Sequence, residues 1–171
     1  MRSESREFLN ALIDAPSPSG YEGPARQVYR EYVEPFVDEI RTDAHGNVIA
    51  VLNPNGKPRL MLAGHIDEIG FLVQYVTDEG YIHFSMVGGV DTSLVASHHV
   101  TIWTAKGPVP GVVGKVPIHL MDRNARDKKV EMHKLWIDIG AKNKAAALKK
   151  VRIGDPITFS QGMVPLERGL V

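Results

Sequence analysis

The spacing of apolar residues changes near Gly70, and that change limits the chain to two pieces of different architecture. Before it, Phe8, Leu9, Leu12 and Ile13 recur at helical spacing until Pro16-Ser17-Pro18-Ser19-Gly20 ends the pattern. Pro24 suits the first turn of a second helix, where its missing N–H has no bond to lose. That helix would gather Val28, Tyr29, Tyr32, Val33 and Phe36 on one face, with Pro35 near its end. Residues 37–41 and 48–52 read as strands around a turn at His45-Gly46-Asn47. After a second turn, Asn53-Pro54-Asn55-Gly56, residues 59–63 carry the run Leu60-Met61-Leu62, which predicts a strand covered on both faces. Gly64 and His65 follow directly.

Beyond Gly70, residues 71–76, 81–86, 100–104 and 109–116 are short, β-rich and separated by Gly, Asp or Pro. Such spacing predicts a small antiparallel barrel or sandwich. Residues 135–139 and 157–159 add strands, and 142–150 suggest a short amphipathic helix with Ala145, Ala146 and Leu148 on its apolar side. Residues 121–129 are dense in charge and read as a solvated loop. The expected class is therefore α/β over residues 1–69, followed by a β-rich module over 70–164. Two helices and three strands leave much of a sheet bare, so the first piece calls for more chain or a partner to complete it.

Composition narrows the chemistry. The formal net charge is zero, so no global basic field favours nucleic acid or an anionic membrane. The apolar runs are strand-sized and too short to span a bilayer. Met1-Arg2-Ser3-Glu4-Ser5-Arg6-Glu7 mixes acids and bases and leads into no apolar stretch, so it reads as no secretory signal and a cytoplasmic protein is expected. Without cysteine there is no disulfide, thiolate metal site or cysteine nucleophile, and a metal would rely on His, Asp and Glu. Ser17 and Ser19 lie among prolines, outside any Gly-x-Ser-x-Gly elbow. Gly88-Gly89 lacks the Gly-Lys-Ser/Thr of a phosphate loop. His98 and His99 are adjacent, so on a strand they would face opposite ways. Trp103 and Trp136 suit a core or an interface better than base stacking.

His65 and Asp67 remain as the strongest pair, two residues apart just past the expected buried strand. Strand ends of α/β sheets commonly hold ligands. A neutral imidazole is a good ligand for zinc or cobalt, and a nearby carboxylate can fix its tautomer and raise its basicity. Glu68 adds negative charge beside it. The residues alone leave a second reading open, a solvated turn in which backbone groups satisfy His65.

The segment Leu62-Ala63-Gly64-His65-Ile66-Asp67-Glu68-Ile69-Gly70-Phe71 resembles the signature of the M42 metallo-aminopeptidases, the glutamyl and leucyl aminopeptidases that form tetrahedral dodecamers. Pro18-Ser19-Gly20-Tyr21-Glu22, Asp43-Ala44-His45-Gly46-Asn47, Val87-Gly88-Gly89-Val90-Asp91, Gly111-Val112-Val113-Gly114, Pro117-Ile118-His119, Asp138-Ile139-Gly140-Ala141 and Ile153-Gly154-Asp155-Pro156 resemble further segments of that family in the same order. The resemblance implies that residues 1–69 are the N-terminal part of a catalytic α/β domain. It implies that 70–164 are an inserted, barrel-like dimerisation module, and that 165–171 begin the return to the first domain. His65 would be a ligand to one of two divalent metals, zinc or cobalt, about 3.5–4 Å apart. Asp67 would be the catalytic-site residue, an acidic side chain that orients it. The substrate would be a peptide cleaved at its N-terminus, and the chain a homo-oligomer through residues 70–164.

The family's bridging Asp, Glu-Glu pair, further Asp and final His have no match up to Val171. One His cannot hold two metals, and a catalytic zinc usually takes three protein ligands. The chain is therefore expected to be an N-terminal half with at most a partial metal site, inactive alone. The alternative is a non-catalytic assembly or regulatory subunit derived from such an enzyme. Glycoside hydrolysis ranks low, because Asp67 and Glu68 are adjacent where two carboxylates flanking a bond are needed.

Overall fold

A computed structural model describes residues 1–121 and 128–167. Most of the expected charged loop at 121–129 lies outside the described residues. Backbone contacts divide the chain into two units, Met1–Asp67 with the stretch from Gly162, and Glu68–Gln161.

The first unit follows the periodicity closely at its start. Helix α1 runs Ser3–Asp14 and α2 runs Gly23–Val33, with Pro24 in its first turn and a 3-10 turn at Glu34–Phe36. Phe8 of α1 stacks on Tyr32 of α2 at 3.9 Å between ring centroids, and Tyr32 meets Phe36 at 5.9 Å. The helices bury little else: α1 has no buried residue and α2 only Ala25. Strands β1 (Glu39–Thr42) and β2 (Val48–Val51) form an antiparallel hairpin. Asp43 closes its turn: Oδ1 accepts the His45 and Asn47 N–H groups at 2.9 Å, and Oδ2 accepts from the Asn47 amide at 2.8 Å. Gly46 sits at φ +89°, and its carbonyl accepts from Arg26 Nη1 at 3.1 Å, tying the hairpin to α2.

The expected strand at residues 59–63 is absent. Leu60, Met61 and Leu62 face solvent, 84%, 85% and 88% exposed. The composition suits a strand covered on both faces, but a strand exists only by pairing its backbone groups with a neighbour. Among the described residues no strand pairs with this run.

The second unit is a closed barrel. Its strands are β3 (Gly70–Val76), β4 (Ile82–Val87), β5 (His99–Thr104), β6 (Gly107–Gly114), β7 (Trp136–Asp138) and β8 (Pro156–Phe159), in the order β3-β4-β7-β6-β5-β8. Every pairing is antiparallel. Closure removes the exposed edges of an open sheet. Alternate residues point inward, so Phe71, Val73, Ile82, Phe84, Val100, Ile102, Val113, Ile137 and Ile157 make one core. A register shift between Val73 and Tyr75 turns Tyr75 outward, half exposed, and brings Val76 inside. Phe71 anchors the interior with edge-on contacts to Phe84 at 5.0 Å and Phe159 at 5.3 Å. Gly114 pairs with Trp136, and a Cβ there would lie 2.5 Å from the indole nitrogen, so only glycine lets the ring cross β6. Helix α3 (Lys144–Leu148) is capped by Asn143, whose Oδ1 accepts the Ala146 N–H at 2.9 Å.

Candidate metal centre

The turn between α1 and α2 places the first component. Tyr21 N–H donates to the Pro18 carbonyl at 2.7 Å, closing a β-turn over Ser19 and Gly20. Gly20 has φ +93°, a conformation that glycine adopts without Cβ strain. Glu22 folds back, its Oε1 accepting the Gly20 N–H at 2.6 Å. Ser17, at the base of the turn, is buried.

Ser19 Oγ donates to Asp67 Oδ2 at 2.5 Å. The other carboxylate oxygen, Oδ1, lies 3.1 Å from His65 Nδ1, and the Asp67 carbonyl lies at the same distance from that nitrogen. Both neighbours of Nδ1 are acceptors, so Nδ1 must carry the proton. In the neutral ring this leaves Nε2 with its lone pair, the form in which imidazole binds a metal. The His65 side chain is 86% exposed and that of Asp67 39%. Polar contacts, not packing, therefore set the ring. The Ser19 hydrogen bond holds the Asp67 carboxyl below the ordinary carboxylate range; the His65 contact works the same way, and partial burial opposes both.

The structure thus joins the two sequence candidates and adds Ser19, a residue excluded above only as a hydrolytic nucleophile. Ser19 donates to the carboxylate and makes no hydrogen bond to His65, the serine-to-base bond of an activated nucleophile. His83 lies on β4, His98 and His99 are exposed beside and on β5, and His133 sits 3.4 Å from Glu131. Among the described residues no group of three or more His, Asp or Glu side chains could hold a metal ion. The pair can offer one nitrogen donor backed by a carboxylate, not a full coordination shell.

Comparison with known proteins gives this geometry its context. The sequence profile described as M42 glutamyl aminopeptidase matches residues 46–171. The lysyl aminopeptidase of Pyrococcus furiosus is 33% identical over 144 residues, covering 82% of this chain and 41% of that protein. The solved TET aminopeptidase of the marine sediment archaeon Thaumarchaeota archaeon SCGC AB-539-E09 superposes with a TM-score of 0.92 at 34% identity, covering 98% of this chain and 48% of that one. The TET1 peptidase of Pyrococcus horikoshii, described as assembling into a tetrahedron or a large octahedral shell, gives 0.81 at 36% identity, covering 91% and 46%. The chain spans about half the length of the relatives it matches, or less.

Proposed function

The chain belongs to the M42 glutamyl aminopeptidase family, and on that premise we propose that it supplies the first ligand, His65, to the two-metal centre of an aminopeptidase that removes N-terminal residues from peptides. The observation that carries this reading is the hydrogen-bond chain from Ser19 through Asp67 to His65, which leaves Nε2 as the free donor. Asp67 keeps the proton on Nδ1 and so leaves Nε2 with the lone pair. The residues fit a metal in part. They offer one nitrogen ligand of the three that a catalytic zinc takes, and the other ligands and the general base would come from residues outside the described set. When bound, two divalent ions, zinc or cobalt, supply Lewis acidity at the scissile carbonyl. A cytoplasmic location belongs to this reading; the described residues include no helix long and apolar enough to cross a membrane.

The barrel would carry the homo-oligomeric interface, with residues 70–164 as the inserted dimerisation module. Leu94, Ile118 and Leu120 support that role, since these large apolar side chains are 67%, 64% and 70% exposed. A second reading, a non-catalytic assembly or regulatory subunit, draws on the contrast between this self-contained barrel and the partial ligand set.

A hybrid in which this chain is continued by the unmatched remainder of the P. furiosus lysyl aminopeptidase tests the proposal. It is expected to cleave aminoacyl anilides with added zinc or cobalt, and His65→Ala is expected to lower both metal occupancy and kcat/KM by at least about 100-fold, the scale of losing a catalytic group. A hybrid whose activity is indifferent to His65→Ala overturns the catalytic reading. A hybrid that assembles but neither binds metal nor cleaves favours the second.

A further inference from the structure

We infer that Ser19 is a positioning residue for His65: by pinning the Asp67 carboxylate it holds the imidazole in the tautomer whose Nε2 can bind a metal. The metal role rests on the reading above; the tautomer role rests on geometry alone.

The terminal torsion of an aspartate is a broad, two-fold rotor with little intrinsic preference. The Asp67 side chain is 39% exposed, so packing does not fix that rotor. Two directed bonds do, one on each oxygen: Ser19 Oγ on Oδ2 and His65 Nδ1 on Oδ1. The first is the shorter and charge-assisted. It is also the one with a rigid origin. Ser19 rides on a turn closed by the Tyr21-to-Pro18 bond, set by the positive φ of Gly20 and braced by Glu22 on the Gly20 N–H. His65 has no comparable support, because its ring is 86% exposed. Order therefore passes from the turn to Asp67 and from Asp67 to His65. Glu22 acts one step earlier, by keeping Ser19 aimed.

Without the hydroxyl, Oδ1 no longer stays opposite Nδ1. The Asp67 carbonyl alone would then favour the Nδ1–H form, and the Nε2–H form gains population. Outer partners of ligating histidines typically govern 10- to 100-fold in metal affinity. Ser19 is one bond further out, and about 10-fold is expected.

The test uses the 171-residue chain with ¹⁵N-labelled histidine. The ring-nitrogen shifts of His65 report the tautomer, and zinc titration followed on Nε2 reports affinity. Wild type is expected in the Nδ1–H form. Ser19→Ala is expected to raise the Nε2–H population and weaken zinc about 10-fold. Ser19→Thr keeps a hydroxyl and is expected to restore both. Glu22→Ala, which leaves Ser19 in place but unbraced, is expected to shift the tautomer in the same direction by less. An unchanged tautomer ratio and zinc affinity in Ser19→Ala overturns the inference, as does a Ser19→Thr variant that behaves like alanine. Zinc binding that is undetectable in wild type, alongside a tautomer shift in Ser19→Ala, sinks the metal reading and leaves the positioning role standing.

Discussion

The barrel and the helix–hairpin unit keep their order by different means. Among the described residues, every buried apolar side chain except Ala25, Pro16 and Pro18 lies in the barrel unit. Closure there pairs each strand on both sides and turns alternate residues into a common interior. The first unit has an aromatic stack between two helices, the buried segment Pro16-Ser17-Pro18 and little other burial. Its order rests on short polar motifs: the Asp43 hairpin, the Glu22-braced turn and the Ser19–Asp67–His65 chain. The candidate chemistry sits where packing is weakest. A site of that kind depends on hydrogen-bond direction, and its residues can be altered at small cost to the barrel core.

The largest effect that would test this contrast is a core deletion set against a surface one. Ile137 is fully buried and pairs with Ile82 and Val113. Ile137→Ala is expected to destabilise the barrel by about 2–5 kcal/mol in denaturant unfolding. Leu62→Ala removes as large an apolar side chain from the first unit, yet Leu62 is 88% exposed. Its expected cost is within about 0.5 kcal/mol. Equal costs for the two substitutions would erase the distinction between the units.

A smaller effect sharpens the account of the barrel itself. Gly114→Ala pushes a methyl against the Trp136 indole, and the overpacking is expected to cost about 1–3 kcal/mol. Amide exchange should locate the damage on β6 and β7, with the hairpin at Asp43 unchanged. Loss of protection at Asp43-Ala44-His45-Gly46-Asn47 in that variant would show that the units are coupled more strongly than their separate cores suggest.

What the sequence made legible follows the same division. The barrel strands were readable because period-2 alternation and turn residues are local signals, and closure then used all of them. The Val73–Tyr75 register shift was not readable, because a bulge is set by the neighbouring strand. In the first unit, Pro24 and the apolar spacing marked both helices. Leu60-Met61-Leu62 misled because composition reports what a run can pair with, not whether the pairing is present. At the site, His65 and Asp67 were visible from their two-residue spacing. Ser19 was not, since it lies 48 positions from Asp67 and only the folded turn brings its hydroxyl there. The one local hint was a short polar side chain before a glycine in a Pro-Ser-Gly-x-Glu turn, a pattern that predicts the turn but not its target.

The smallest expected effect concerns acid. Asp43 and Asp67 in the first unit have pKa values below the ordinary carboxylate range, Asp43 chiefly through the Asn47 amide and Asp67 chiefly through the Ser19 hydroxyl. In the barrel unit, Asp91 is lowered chiefly by Ser93, and Glu131 by Lys134. A carboxyl whose folded pKa is depressed stabilises the fold above its unfolded pKa, and that contribution is lost as pH falls through the folded value. All four shifts therefore act in one direction, with losses growing as pH falls below about 5. They should not act equally on the two units. Protonating Asp67 removes the charge that holds Ser19 and His65 and turns one of the two acceptor oxygens into a donor, and protonating Asp43 loosens a hairpin with no buried core beneath it. Protonating Asp91 or Glu131 leaves the barrel interior intact, because neither belongs to it. Amide exchange followed from pH 7 down to pH 3 should show protection at the hairpin falling before protection on β3 to β8 (in rank order, not in size). Simultaneous loss would mean that the polar motifs of the first unit are not its principal support, and that packing rather than hydrogen bonding orders His65.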